Sequence, residues 1–183
     1  MKKITIIVLI IFLFIPLVHS HSNHDELTES EIIEIAMSAA PLNVSEKATI
    51  IGSDGAILRE GNNGWTCMPG TPPNENVNPM CVDKAWQKWL KAFMEQIPYN
   101  SENESLGISY MLVGDQAIDN DDPFNLDKSK GNWIAEGPHL MLLLPESLMS
   151  NLPTDPYAGG PYVMFKGNDF VHVMVPLEVT LKP

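Results

Sequence analysis

The two cysteines are the feature that most constrains the fold of this chain. Cys67 and Cys81 are its only cysteines, and the segment between them, MPGTPPNENVNPM, is rich in proline and asparagine. Such a segment has little tendency to form a helix or a strand on its own. A disulfide around a loop of about 15 residues stabilises a fold by about 3 kcal/mol in the chain-entropy model. We therefore predict a Cys67–Cys81 disulfide that closes this loop.

The residues beside the cysteines leave a second interpretation of the loop open. Trp65, Met68 and Met80 flank the two cysteines. Thioether sulfur is a soft donor that suits Cu(I), whereas methionine and tryptophan also pack well against a disulfide. The C-x-x-C spacing of a catalytic dithiol is absent. Packing on the bridge is the simpler interpretation, and metal binding is the alternative.

The N-terminal segment, MKKITIIVLIIFLFIPLVHS, predicts export. Two lysines precede an apolar run over residues 4–14, and Pro16 and Ser20 fit the end of a signal peptide that is cut after Ser20. The run is shorter than the roughly 20 residues of a membrane span, and an uncleaved anchor is the alternative. We expect residues 1–20 to be the signal peptide and residues 21–183 to be one domain. The expected location is secreted or periplasmic, where disulfides persist.

The charge of the chain disfavours polyanionic partners. Removal of the two lysines with the signal peptide lowers Lys+Arg from 11 to 9 against 23 acidic residues, which leaves a net charge of −14. Such a field repels nucleic acid phosphates and anionic lipid heads. We therefore expect no nucleic acid partner and no stable membrane insertion after cleavage.

Hydrophobic periodicity predicts an α+β fold. The pattern WxxWLxxF after Asp83 predicts a long amphipathic helix over residues 83–97, and a capping box predicts a shorter helix after Thr28. Alternating and continuous apolar runs predict strands at 48–51, 56–60, 106–114 and 138–145, and a hairpin around Gly167. We expect a mostly antiparallel sheet of five or six strands, covered on one side by the long helix.

Two His-x-Met pairs suggest a metal site. His139 and Met141, like His172 and Met174, are two positions apart and therefore share one face of a strand. If the two strands are neighbours, two histidines and two methionines converge, and that set suits Cu(I). The hairpin turn also predicts Met164 opposite His172. The alternative is that both histidines are core residues with backbone or acidic partners and that the methionines fill the core.

The N-terminus left by signal cleavage offers a different copper ligand. A cut after Ser20 exposes His21, whose terminal amine and imidazole can bind Cu(II), and His24 lies nearby. The following stretch is polar and acidic, which favours a frayed terminus. We interpret these two histidines as adventitious metal binders.

The acidic loop after the strand at 106–114 suggests calcium. Its carboxylates are Asp115, Asp119, Asp121, Asp122 and Asp127. Extracellular calcium is bound by such carboxylates and by carbonyls, but the EF-hand order fails because Pro123 stands where a ligand belongs. A solvated acidic loop is the alternative interpretation.

Catalytic motifs are absent from the sequence. Neither a G-x-S-x-G elbow nor an H-E-x-x-H helix occurs, and no glycine-rich phosphate loop is present. Glu136 lies three residues before His139, so a hydrolase with these two residues as an acid–base pair is one alternative.

Several stretches carry a family resemblance. The mature region, through NGWTCMP, GISYML, EGPHLM, PTDP, GGPYVMFKG and VHVMVP, resembles a family of uncharacterised secreted bacterial proteins. The resemblance implies no activity and assigns no site residue.

The leading hypothesis from the sequence is an exported, soluble, non-catalytic binding protein of the bacterial envelope. Its partner would be a protein or a small ligand, recognised by loops on a rigid sheet. The predicted recognition surface is the disulfide-closed loop with the connector TDPYAGGPY, and its named residues are Trp65, Asp155, Tyr157 and Tyr162. No cofactor is expected, and copper and calcium are the alternatives.

Overall fold

The computed structural model describes residues 27–70, 78–100 and 105–180. The predicted signal peptide, His21 and His24 therefore lie outside the described residues. So does the interior of the disulfide-closed loop, residues 71–77.

The described chain forms four helices and ten strands. The helices are α1 (Glu29–Met37), α2 (Leu42–Ser45), α3 (Lys84–Glu95) and α4 (Glu146–Met149). The strands are β1 (Thr49–Ile51), β2 (Ile57–Arg59), β3 (Thr66–Met68), β4 (Met80–Val82), β5 (Gly107–Met111), β6 (Ile118–Asp119), β7 (Trp133–Ile134), β8 (His139–Leu143), β9 (Tyr162–Met164) and β10 (His172–Pro176). This α+β composition confirms the predicted class.

One mixed sheet organises the fold. Its eight strands follow the order β2-β1-β3-β4-β5-β8-β10-β9, and β6 pairs with β7 in a separate ribbon. The β1–β3 pair is parallel, while the other recorded pairs are antiparallel. The prediction of five or six strands was wrong because β3 and β4 are only three residues long and border a proline-rich loop. Their short sequences carry no alternation that marks a strand.

Helix α3 is anchored at its start by one carboxylate. Asp83 accepts hydrogen bonds from the backbone N–H groups of Ala85 and Trp86, each at 2.9 Å, which is a side-chain N-cap. Its second oxygen accepts the Ile108 N–H at 2.7 Å and so ties the helix to β5. The predicted helix at 83–97 is confirmed, but its twelve residues span only about 18 Å. The expected long helix over the whole sheet was therefore wrong.

The two faces of the sheet carry different cores. One face packs against Trp86 and Trp89 of α3, and its methionines are Met68, Met80, Met111, Met141, Met164 and Met174. The opposite face packs on α1 at one end and on residues around Met149 of α4 at the other. Helix α3 covers one side of the sheet as predicted, and α1 and α4 cover parts of the other side. We call the α3 side the methionine face.

The predicted disulfide is confirmed. Cys67 and Cys81 are directly opposite in the β3–β4 ladder, with their Cα atoms 4.0 Å apart. Both are fully buried beneath Ala36 and Ala39 of the α1 segment, on the face opposite the methionine face. The bridge therefore joins two short strands in the interior of the sheet.

Removal of this bridge is expected to weaken the fold strongly. The variant Cys67→Ala/Cys81→Ala should lose about 3 kcal/mol of unfolding free energy, because its denatured state regains the entropy of an open loop of about 15 residues. Urea denaturation of the oxidised protein and the variant measures the difference. Wild-type protein treated with a reductant is the control, and it should match the variant. Equal midpoints for oxidised and bridge-free protein would contradict this role.

Candidate functional site

Strand register assembles a row of soft donors on the methionine face. Met68 lies opposite Met80 in β3–β4, and Met111 lies opposite His139 in β5–β8. The β4–β5 register pairs Cys81 with Tyr110, so one further position sets Met80 opposite Met111. Neighbouring strands are about 4.8 Å apart. Met68, Met80, Met111 and His139 therefore form a continuous line across four strands, which we call the methionine row.

The methionine row lies at one end of the sheet. The disulfide-closed loop connects β3 and β4 there, β5 and β10 end there, and β8 and β9 begin there. We call this edge the loop end. At this end Met68 and Met80 are half-buried, whereas Met111 and His139 are buried. The row thus runs from a partly exposed edge into the core.

The two His-x-Met pairs are neighbours, but their histidines do not meet. Met141 lies directly opposite Met174 in β8–β10, and His139 lies opposite Pro176. His172 is therefore four positions from His139 along the ladder, which corresponds to roughly 13 Å of strand rise. The register therefore does not set the two histidines opposite each other, and a copper centre of two histidines and two methionines stays a prediction. The prediction that Met164 lies opposite His172 is confirmed.

Both histidine rings are held in the same way. The Nδ1 atom of His139 lies 2.7 Å from the Gly137 carbonyl oxygen, and that of His172 lies 3.0 Å from the Phe170 carbonyl oxygen. A carbonyl only accepts, so Nδ1 carries a proton in each ring, and in the neutral ring Nε2 keeps its lone pair. Each Nε2 is buried with no hydrogen-bond partner among the described residues. Because β8 and β10 are antiparallel and each Nδ1 bonds the carbonyl two residues earlier, the two Nδ1 atoms face opposite ends of the sheet.

Aromatic rings enclose His172. Its ring centroid is 5.4 Å from that of Trp86, 5.6 Å from that of Trp89 and 5.2 Å from that of Phe165, all in edge-to-face geometry. Burial lowers the pKa of His172 to about 4, against the weaker effect of its bond to the Phe170 carbonyl. The imidazole is therefore neutral at neutral pH and packs as a core aromatic residue.

Hydrogen-bonding side chains surround His139 at the loop end. Glu136 is 5% exposed, and its carboxylate accepts bonds from the Tyr162 hydroxyl at 2.8 Å and from the Thr180 hydroxyl at 3.0 Å. Asp115 accepts a bond from the Asn78 amide at 3.2 Å, and its backbone N–H donates to the Glu136 carbonyl at 2.9 Å. We call Asn78, Asp115, Glu136, Tyr162 and Thr180 the acid cluster.

Burial shifts the pKa values of Asp115 and Tyr162 in the acid cluster. Removal from water raises the pKa of Asp115, and the nearby His139 and the Asn78 amide oppose that rise. Burial and the adjacent Glu136 raise the pKa of Tyr162 above its ordinary value. The phenol therefore keeps its proton and donates it in the bond to Glu136. Since Asp115 acts electrostatically on both His139 and Tyr162, the cluster borders the inner end of the methionine row.

The predicted Glu136–His139 acid–base pair is not joined directly. Within the described ranges, the recorded side-chain partners of Glu136 are Tyr162 and Thr180, and the recorded partner of His139 is the Gly137 carbonyl. The two residues share a neighbourhood but not a hydrogen bond. This arrangement orients a carboxylate toward neutral donors and does not couple it to the imidazole.

The aspartates of the acidic loop shape their own backbone. Asp119 accepts the backbone N–H groups of Asp121 and Asn132, at 3.1 and 3.0 Å. Asp122 caps the Phe124 N–H, and Asp127 forms an ion pair with Lys130 at 2.9 Å. Asp115 belongs to the acid cluster. Over residues 27–70, 78–100 and 105–180, no group of three His, Cys, Asp or Glu side chains suited to a metal forms. The structure does not gather the five aspartates into a calcium site.

The predicted recognition residues are dispersed. Asp155 is exposed and Tyr157 is half-buried on the connector before β9, but Tyr162 is fully buried, so its assignment to a surface was wrong. Trp65 packs on Tyr110, with ring centroids 5.4 Å apart. It precedes β3, five strand positions or roughly 24 Å from β9. Trp65 therefore cannot share one compact surface with the connector.

The acid cluster nevertheless joins the two segments that the sequence singles out. Asn78 belongs to the disulfide-closed loop, and Tyr162 is the last residue of the connector. Asp115 hydrogen-bonds the first and acts electrostatically on the second. Sequence reasoning missed Met111, Asn78 and Thr180, because their roles depend on strand order and on distant contacts. The apolar alternation of β5 was the one local signal for Met111.

No family model, curated protein or solved structure matches the chain.

In the part of the chain that the structure describes, no helix is long and apolar enough to cross a bilayer. Function must therefore be argued from the geometry of the site.

Acid should destabilise the protein through His172. The unfolded histidine gains a proton near pH 6.5, whereas the folded one resists protonation down to about pH 4. Stability is therefore fully present above pH 6.5 and falls as the pH drops toward 4, by about 3 kcal/mol in total. The variant His172→Asn keeps a donor for the Phe170 carbonyl but does not titrate. Urea denaturation at pH 7.5, 6, 5 and 4 measures the free energy of unfolding, which should fall less steeply with acid for the variant than for the wild type. An equal fall in both proteins would contradict the role of His172 in acid destabilisation.

Proposed function

We propose that the protein is an exported, non-catalytic binding protein of the bacterial envelope that takes up a cationic ligand at the loop end of its sheet. The observation that carries the proposal is the acid cluster beside the buried His139. Export is supported by the N-terminal sequence and by the buried disulfide, because such bridges persist in oxidising compartments.

The acid cluster is costly for a fold that has no ligand. Glu136 is buried and Asp115 is half-buried, and their recorded partners are an amide, two hydroxyls and a backbone N–H. Neither carboxylate takes part in an ion pair recorded for the described residues. A buried carboxylate without a countercharge costs several kcal/mol. A bound cation at this position offsets that cost, which favours binding of positive ligands over neutral or anionic ones.

Several features support binding over catalysis. Both cysteines are consumed in the disulfide, and Glu136 is directed at Tyr162 and Thr180. The strongly negative net charge of the chain, −12 before any cleavage, attracts cations to its surface. The loop end is also where the two loop segments predicted for recognition are anchored.

The cation proposal is tested by thermal unfolding of the mature protein with named probes. The probes are Cu(I), Zn²⁺, Ca²⁺, spermidine and arginine methyl ester. A ligand at 100 times its dissociation constant adds about 2.7 kcal/mol, or roughly 5–10 °C in Tm for a chain of this size. We expect at least one probe to raise Tm in this way.

Charge-removing variants locate the effect. Asp115→Asn and Glu136→Gln keep hydrogen-bonding groups but remove the charge, and each should weaken the affinity about tenfold, equivalent to about 1.4 kcal/mol. Glu60→Gln, at an exposed acid after β2 and outside the acid cluster, is the matched control and should leave the affinity unchanged. A panel with no Tm shift, or an equal effect of all three variants, would overturn the proposal.

Export is tested separately by cell fractionation. The full-length chain with a C-terminal tag should appear in the periplasm or the medium, shortened by residues 1–20 and with Cys67 and Cys81 oxidised. Mass spectrometry of the recovered protein measures both the cut and the bridge. Recovery of the uncut chain with free thiols from the cytosol would contradict export.

A further inference from the structure

His139 has the features of a metal-binding histidine. Its ring is fully buried, its Nδ1 proton is committed to the Gly137 carbonyl at 2.7 Å, and its Nε2 lone pair has no partner among the described residues. Metal-binding histidines are commonly fixed in this way, with the second ring nitrogen donating to a carbonyl. An unpartnered buried nitrogen costs free energy in the absence of a ligand.

The side chains nearest His139 on the sheet supply soft donors. Met111 is its direct cross-strand partner, so their Cβ atoms are about 5 Å apart. Met141 follows two residues later on the same face of β8, and both methionines are buried. Methionine has three rotatable bonds, so its sulfur can turn toward a neighbour without movement of the backbone.

The rest of the methionine row connects His139 with the partly exposed edge of the sheet, where a metal ion could enter. Met80 lies beside Met111, and Met68 lies beside Met80 at the half-buried edge. The thioethers along this line are successive soft ligands for a cation that enters at the half-buried edge. A metal site requires such an entry path.

Charge and ligand softness together select the metal. An imidazole and two thioethers are neutral, and thioethers favour Cu(I) over the harder divalent ions. The single positive charge is then compensated by Asp115 and Glu136 of the acid cluster, and Asp115 is close enough to His139 to act on it electrostatically. Calcium and magnesium require oxygen ligands instead.

We infer that the cationic ligand is Cu(I), held by the Nε2 atom of His139 and the sulfurs of Met111 and Met141. This inference rests on the proposed function, because it names the ligand of the same site. Binding forms three dative bonds to a metal that arrives as Cu(I), so no electron is transferred and no proton leaves Nδ1.

His172 provides a matched counter-example within the chain. It begins its strand as His139 does, is followed by methionine two residues later, and also faces a methionine across the ladder. Its ring is enclosed by Trp86, Trp89 and Phe165. Among the described residues, His139 is the charged group recorded as acting on it, and neither Asp115 nor Glu136 is. We therefore assign the copper to His139 and a packing role to His172.

The test is an anaerobic Cu(I) titration of the mature protein in competition with bathocuproine disulfonate, whose colour reports the copper it retains. We expect one Cu(I) per chain. His139→Asn keeps a donor for the Gly137 carbonyl but loses Nε2, and it should weaken binding at least tenfold. Met111→Leu and Met141→Leu nearly conserve volume and should each weaken binding tenfold as well.

The control variants make the same types of substitution at His172 and at the two methionines beside it. His172→Asn, Met164→Leu and Met174→Leu should bind Cu(I) as the wild type does, and circular dichroism confirms that each variant is folded. His21→Ser/His24→Ser should also retain the site. Equal affinity of wild type and His139→Asn, or equal losses in both sets of variants, overturns the inference.

The outcomes separate this inference from the proposed function. If another cation binds in a Glu136-dependent way and Cu(I) does not, the copper assignment fails and the binding function stands. If Cu(I) binding depends on His139 but not on Asp115 or Glu136, the copper site stands and the role of the acid cluster fails. If no cation binds, both are wrong.

Discussion

The antiparallel register of β5, β8 and β10 decides which side chains of this protein can act together. It sets Met111 against His139 and Met141 against Met174. Because side chains alternate between faces, a shift of one residue would turn these groups to the other side of the sheet. The same register keeps His172 at the far end, inside the aromatic core around α3. One constraint therefore separates two histidines that look alike in the sequence.

The disulfide supports the same arrangement from the opposite face. Cys67 and Cys81 are the middle residues of β3 and β4, and Met68 and Met80 are their neighbours in the same strands. A bridge between the middle residues locks the pairing of two strands that are too short to hold it alone. The cysteines thus contribute to the soft donors indirectly, by holding Met68 opposite Met80, and their own sulfurs remain buried on the other face.

Local sequence was sufficient for some of these features and not for others. The disulfide, the helix after Asp83 and the hairpin that sets Met164 against His172 follow from spacing and turn residues. The separation of His139 from His172 did not follow, because it depends on the β8–β10 register, which sets His139 opposite Pro176. The acid cluster depends on contacts such as Glu136–Tyr162, 26 positions apart, and a single sequence gives no sign of such contacts.

The central claim is that His139 presents a bare, buried Nε2 to soft donors while His172 does not bind. Two-bond ¹H–¹⁵N NMR of the histidine rings tests it most directly, because it reports the tautomer and the ligation of each ring nitrogen. We expect Nδ1–H tautomers for both rings, and a shift of the His139 Nε2 signal alone after one equivalent of Cu(I). An Nε2–H tautomer at His139, or a copper-induced shift at His172 instead, would show that Nε2 of His139 is not the Cu(I) ligand.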